Sequence, residues 1–189
     1  MLVLASRSPR RREILSGLGI EFVVVEPDVE EIREGEPEEV VLENARRKAR
    51  AGLAGAADAA VVLGADTEVV VDGRVLGQAG GEEEARSHLE TLSGRTHTVL
   101  TGVVLLGPGG EGEDPAERSG VARSEVTFRE LDPATLDLYL ASGEWRGRAG
   151  AYAIQGLGSI LIERLEGDFS NVVGLPVPLL LELAPELLV

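Results

Sequence analysis

The run AAVVLGADTEVVVDGRVLG, residues 59–77, decides the fold. Its β-branched residues form a buried strand that meets an Asp-Thr interruption at 66–67, resumes, and turns back at Asp72-Gly73, a strong two-residue hairpin signal. Upstream, LVLA (2–5) reads as a short buried strand. Ser8 can then cap a helix that begins at Pro9, turns Ile14, Leu15 and Leu18 inward and stops at Gly19. EFVVV (21–25) is a second strand, and the acidic EPDVEEIREGEPEE leads into a long helix opening around Pro37. Val40, Val41, Ala45, Ala49 and Leu53 recur there at helical spacing.

Downstream, GEEEARSHLETLSGR (81–95) reads as a helix with Ala85, His88, Leu89 and Leu92 on one face, and THTVLTGVVLLG (96–107) as a long strand. PGGEGEDPAERSG (108–120) is rich in Gly, Pro and charge and predicts a flexible loop joining antiparallel neighbours, the second being VARSEVTFRE (121–130). Asp132 and Pro133 start a helix with Leu136, Tyr139 and Leu140 inward. AYAIQGLGSILIERLEG (151–167) predicts two short strands around a Gly-rich corner, and LPVPLLLELAPELL (175–188) a final helix interrupted by proline. Helices interleaved with both buried and alternating strands predict an α/β (mixed α+β) chain: a mixed, bent sheet flanked by helices, in one domain over residues 1–189.

Thirty-three acidic residues against eighteen basic ones give a net charge of −15, and such a surface repels nucleic-acid phosphates and anionic lipid. Polymeric nucleic acid and membrane are therefore not expected partners. The apolar start is too short for a signal h-region and its charges follow it, so a cytoplasmic protein is expected. Without cysteine, thiolate nucleophiles, thiolate metal sites and disulfides are excluded.

Against that background SRSPRRREIL (6–15) is anomalous, with Arg7, Arg10, Arg11 and Arg12 crowding a helix start. A helix N-terminus already favours anions, so added cations there either await a phosphate or pair with surface acids; charge alone leaves both readings open. Asp28, Glu30 and Glu31 form a segment that reads as a solvated loop as readily as a metal site. Asp66 stands inside an apolar strand, where a carboxylate is costly unless it meets a metal or hydrogen-bond donors, and where desolvation favours the proton uptake of a general base. A turn-forming Asp is the alternative. Lys48 is the only lysine among eighteen cations, a hint of a compact point charge or an accident of codon usage. His88 and His97 lack partners at ligand spacing and read as structural. Together these features suit metal-assisted cleavage of a small phosphorylated molecule.

LASRSPRRREIL, RRKARAG, LGADTEVVVDG, GRTHTVLTGV, AGAYAIQGLG and NVVGLP follow one another in the order seen in the Maf-like nucleoside triphosphate pyrophosphatases, and the chain resembles that family over nearly its whole length. The resemblance implies a fold similar to the inosine triphosphate pyrophosphatases, two lobes around a central cleft, and a homodimer. It implies hydrolysis between the α- and β-phosphates with a divalent cation, Mg²⁺ or Mn²⁺. Asp66 matches the proton acceptor, Glu31 an acid of the metal or water site, Arg10, Arg11 and Lys48 phosphate-site cations, and Ser6 the phosphate-facing turn. Asp66 and Glu31 are the implied metal ligands. Arg11, Thr67 and Gln155 match positions associated with substrate choice and resemble the dTTP/UTP branch, with modified pyrimidine nucleotides a further substrate class. Gln155 offers donor and acceptor to a uracil or thymine edge. The chain departs from the family at LGQAGG, where Gln78 replaces a phosphate-site lysine. The resemblance also links the family to septum formation, so a nucleotide-binding regulator of cell division without turnover is the alternative.

Overall fold

Among the described residues seven strands share one mixed sheet, and where two of them fail to meet, the sheet opens. The computed structural model describes residues 1–54, 60–107 and 115–188. β1 (Leu2–Ala5) is wholly buried, continues through α1 (Pro9–Gly17) to β2 (Phe22–Val25), and is followed by α2 (Pro37–Leu53) and β3 (Val61–Val71). β2 and β3 flank β1, both parallel to it. β3 turns through Asp72 and Gly73, whose φ of 49° and 73° are those of a type I′ hairpin, into β4 (Arg74–Leu76). α3 (Glu82–Leu92) leads to β5 (Thr96–Leu106), β6 (Glu117–Phe128), α4 (Pro133–Ser142), β7 (Ile162–Glu166), α5 (Phe169–Val173) and α6 (Val177–Leu183). The strand order is β2-β1-β3-β5-β6-β7, with β4 on β3.

β1 pairs with β3 only over Val61–Gly64, and β4 only over Val69–Val71. Residues 65–68 therefore have β5 alone beside them, and the open edge faces a cleft. On one side of the opening, Val69, Val71, Leu89, Leu92, Phe128, Tyr139, Trp145 and Leu161 form a core. On the other, Leu2, Leu4, Leu15, Leu63, Leu105 and Leu180 form a second, while Val3, Ala45, Ala49, Val62 and Val104 pack under α2.

α2 sits on two glycines. A Cβ at Gly64 would lie 2.2 Å from the carbonyl oxygen of Ala45, and one at Gly102 would lie 2.5 Å from that of Val41. Only hydrogen side chains permit this approach, which brings the α2 face to β3 at Asp66.

Four expectations change. β3 runs unbroken through Asp66-Thr67, because β5 supplies its ladder there. β6 begins at Glu117, since β5 extends far enough to pair residues 117–120; residues 108–114 of the expected loop lie outside the described residues. Residues 151–155 form no strand, and the Gly-rich corner Gly156–Leu161 forms a 3₁₀ turn. Gly156 has φ of 63°, the Glu144 carboxylate accepts from the N–H groups of Leu157 and Gly158, and Gly158 lies against the carbonyl of Ala153. α5, unforeseen, is nucleated by Asp168, which accepts from the backbone N–H groups of Ser170 and Asn171.

His97 is structural, as read from its isolation. Its Nε2 lies 2.8 Å from the Tyr152 hydroxyl, and it packs edge-on against Phe128. Burial holds the ring down at about pKa 4, against an ordinary 6.5. Between those values the unfolded chain binds more protons, so the neutral ring's contribution is complete above pH 6.5 and is lost as pH falls through 4. His97→Phe should remove this dependence. The difference in unfolding free energy between wild type and variant should change by about 3 kcal/mol from pH 7 to pH 4, measured by denaturant titration; identical pH profiles would refute it.

Candidate active site

Where β3 has lost β1 and not yet gained β4, it carries Asp66, Thr67 and Glu68 into a cleft of about 960 Å³. Ser6, Arg10, Arg11, Glu31, Lys48, Asp66, Thr67, Gln78 and Gln155 all line it.

Its centre is a carboxylate–ammonium–carboxylate bridge. Lys48 Nζ lies 2.5 Å from Asp66 Oδ1 and 2.6 Å from Glu31 Oε1. The second oxygen of Asp66 accepts from Asn44 Nδ2 at 3.1 Å, so a carboxylate only 5% exposed has a charged and a neutral donor. Asn44 stands one helical turn before Lys48 on the same face of α2. Its amide also clamps Ile32, donating to the carbonyl at 3.0 Å and accepting from the N–H at 2.8 Å. Arg47 donates to the carbonyl of Glu30. These contacts hold the 30–32 segment so that Glu31 meets Lys48, while Asp28 stays in solvent.

The arginine run divides by burial. Arg11 is buried and spends its guanidinium on Gly174 O at 2.7 Å, Thr67 Oγ1 at 3.0 Å and Ser6 Oγ at 3.2 Å; burial weakens its hold on its proton. Thr67 Oγ1 in turn lies 2.9 Å from Thr101 Oγ1. Arg11 is thus a strut joining the turn after β1, β3 and the 172–174 segment. Arg10 makes one long bond to Val173 O, and burial, with Arg148 and Arg11 nearby, lowers its pKa to about 10. Arg12 pairs with Glu26 on the helix face, and Arg7 lies 3.6 Å from Asp28. Ser8 holds the N-cap position without a side-chain cap bond, and its N–H is taken by Ser6 Oγ. The first turn of α1 therefore keeps its pull on anions.

Gln78 and Gln155 are exposed at the other wall. Sequence reasoning does not single out several residues at or beside this space. Asn44 was legible as a polar residue on the buried face of α2. Glu68 was legible as the next same-face position after Asp66 on a strand. Its Oε2 is buried without a partner among the described residues, and burial, then Asp66 and Glu31, push its carboxyl up to about 8. Arg33, Arg146 and Arg148 also line the cleft, and no spacing signal marks them. His88, read as structural, also reaches the cleft.

A family model described as Maf-like protein matches residues 1–187. The chain belongs to the Maf-like family. A relative from Deinococcus radiodurans, named dTTP/UTP pyrophosphatase, is 46% identical over 96% of this chain and 90% of its own length. Relatives of the same name from Thermococcus kodakarensis (46% identical, 97% of this chain, 95% of its own) and Moorella thermoacetica (48% identical, 93% and 89%) match as fully. Among solved structures, a HAM1 protein from Coxiella burnetii superposes with TM-score 0.45 at 20% identity, covering 72% of this chain and 89% of that one.

The divalent cation implied for Maf-like proteins can be weighed against the donors present. Among the described residues no three His, Asp or Glu side chains converge as a metal-binding group. Two hard carboxylates, Asp66 and Glu31, do converge, bridged by an ammonium that a cation could replace. One or two carboxylates completed by substrate phosphates is the donor pattern of Mg²⁺, so the residues fit a cation that arrives with a phosphorylated ligand.

Proposed function

We propose that this Maf-like protein hydrolyses dTTP and UTP to the nucleoside monophosphate and pyrophosphate, with Asp66 as general base. The observation that carries the reading is the Lys48 bridge between Asp66 and Glu31 in a cleft that also receives Arg10 and the start of α1. The names of relatives 46–48% identical support the substrate class.

Asp66 accepts the proton of the attacking water at a carboxylate oxygen. Asn44 and Lys48 use two of its roughly four lone-pair sites and fix the plane of the group. Asp66 and Glu31 would hold Mg²⁺ or Mn²⁺ alongside substrate phosphates, and the bound ion supplies charge neutralisation and a more acidic water. Lys48 and Arg10 offset the charge that builds on departing pyrophosphate. Ser6 and Arg11 shape the turn that receives the phosphates. Arg11 and Thr67, directly bonded, act on substrate choice as one unit with Gln155 at the base edge.

The reading suits a pool-cleaning enzyme of the cytoplasm acting as a homodimer; no helix among the described residues is long and apolar enough to cross a membrane. Incubation with ribo-, deoxyribo- and modified triphosphates at fixed Mg²⁺, assaying pyrophosphate, should give dTTP and UTP as the best substrates. No pyrophosphate, together with tight dTTP binding, would overturn the reading in favour of a non-hydrolytic nucleotide-binding regulator.

A further inference from the structure

Of the cations lining the cleft, Lys48 is engaged by two carboxylates and Arg11 is consumed by protein oxygens. Arg10, Arg33, Arg146 and Arg148, which also line it, differ: among the described residues none of them lies within ion-pair distance of a carboxylate. In a chain with thirty-three acids, four such guanidiniums on one cleft are unusual, and two of them are fixed in direction. Arg10 and Arg148 are aimed by backbone carbonyls, Arg10 Nε by Val173 O and Arg148 Nε by Glu144 O. Burial and then the nearby charge of Arg148 lower the pKa of Arg10, so the two charges sense each other. Like charges brought together in a partly desolvated cleft cost free energy until an anion joins them.

The turn that presents Arg148 is rigid. Ala151 N–H donates to Arg148 O at 3.1 Å, Gly150 and Ala151 both have positive φ, and Gly150 N–H donates to Leu76 O at 2.7 Å. Ala149, next to Arg148, makes an isolated antiparallel bridge with Gln78. Arg148 thus springs from beside the cleft position where Gln78 brings no charge.

We propose that Arg148 is a substrate-positioning residue which, with Arg10, clamps the two phosphates that leave as pyrophosphate, supplying the charge that Gln78 lacks. The clamp rests on the pyrophosphatase reading for its ligand, and it spans the cleft: Arg10 belongs to the α1 side, Arg148 to the 146–150 turn.

The test uses inorganic pyrophosphate with Mg²⁺ as the calorimetric probe, beside steady-state kinetics with dTTP. Arg148→Gln should weaken pyrophosphate binding at least tenfold and raise KM for dTTP by a similar factor, with dTMP affinity changing less than twofold. Arg148→Lys should keep most of the binding, and Gln78→Lys placed in the Arg148→Gln background should recover at least half of the loss. Pyrophosphate affinity of Arg148→Gln within twofold of wild type, at an unchanged melting temperature, would overturn the clamp. So would a loss restored neither by Arg148→Lys nor by the charge that Gln78→Lys adds, which would mark a structural role. Pyrophosphate binding does not depend on turnover. A chain that binds pyrophosphate through Arg148 but cleaves no triphosphate would sink the proposed function alone, and one that cleaves dTTP unaffected by Arg148→Gln would sink the clamp alone.

Discussion

Asp66→Asn should reduce kcat for dTTP by about 10³-fold while leaving the fold intact, since positioned general bases contribute factors of this order. The amide is isosteric and removes proton-accepting capacity at the one carboxylate that is 5% exposed, directed by Asn44 and joined to Lys48. Circular dichroism should be unchanged, because the Lys48–Glu31 contact remains to hold α2 to the 30–32 segment. Binding of dTTP in the presence of Mg²⁺ should survive within about tenfold, as Arg10 and the α1 start are untouched. Retention of the full rate would remove Asp66 as the base.

Lys48→Met should cost both activity and stability. The substitution leaves Asp66 and Glu31 facing each other without the ammonium that lies 2.5 and 2.6 Å from them. Breaking such a pair at one partner costs about 3 kcal/mol when it is buried; Glu31 is partly in solvent, so about 2 kcal/mol is expected, a fall in Tm of roughly 6 °C in metal-free buffer. Addition of Mn²⁺ should recover much of that loss in the variant and little in wild type, because the cation then takes the place of the missing positive charge. kcat should fall by about 10²-fold even at saturating metal, for want of the point charge at the phosphates. Equal Tm values for the two proteins without metal would show that the bridge carries no stability. Lys48→Arg tests geometry at constant charge: a planar guanidinium does not fit between two oxygens held this closely, and an unchanged rate would reduce the lone lysine to codon accident.

Much of this architecture is legible in the order of residues. The β1–α1, β2–α2 and β3–β4 units rest on local signals that tertiary structure reinforces: an apolar run before Ser8-Pro9, a 3.6-residue period from Val40, and Asp72-Gly73 between β-branched runs. The 151–167 region misleads because its strand-like composition is overridden by two contacts invisible in sequence, the Glu144 carboxylate on two N–H groups and the Ala153 carbonyl against Gly158. At the site, Asp66 betrays itself as a charge in an apolar strand, Lys48 as the lone lysine and Arg10 and Arg11 within the arginine run, while Ser6, Thr67 and Gln155 rest on the family motifs, Glu31 on a resemblance outside them and Gln78 on a departure from them. Motifs do not tell that Arg11 is spent on Gly174, Ser6 and Thr67 while Arg10 remains available, since only burial separates neighbours on one helical turn. Arg148 stays hidden for a different reason. Its place in the cleft depends on a backbone bridge between residues 78 and 149, far apart in the chain.

The most direct test of the central claim is hydrolysis of dTTP with Mg²⁺ in ¹⁸O-water, followed by ³¹P NMR. A water deprotonated by Asp66 that attacks the α-phosphorus should give equimolar dTMP and pyrophosphate, with ¹⁸O in dTMP alone and the signal lost in Asp66→Asn. Release of dTDP and orthophosphate, label in pyrophosphate, or undiminished product from Asp66→Asn would contradict it.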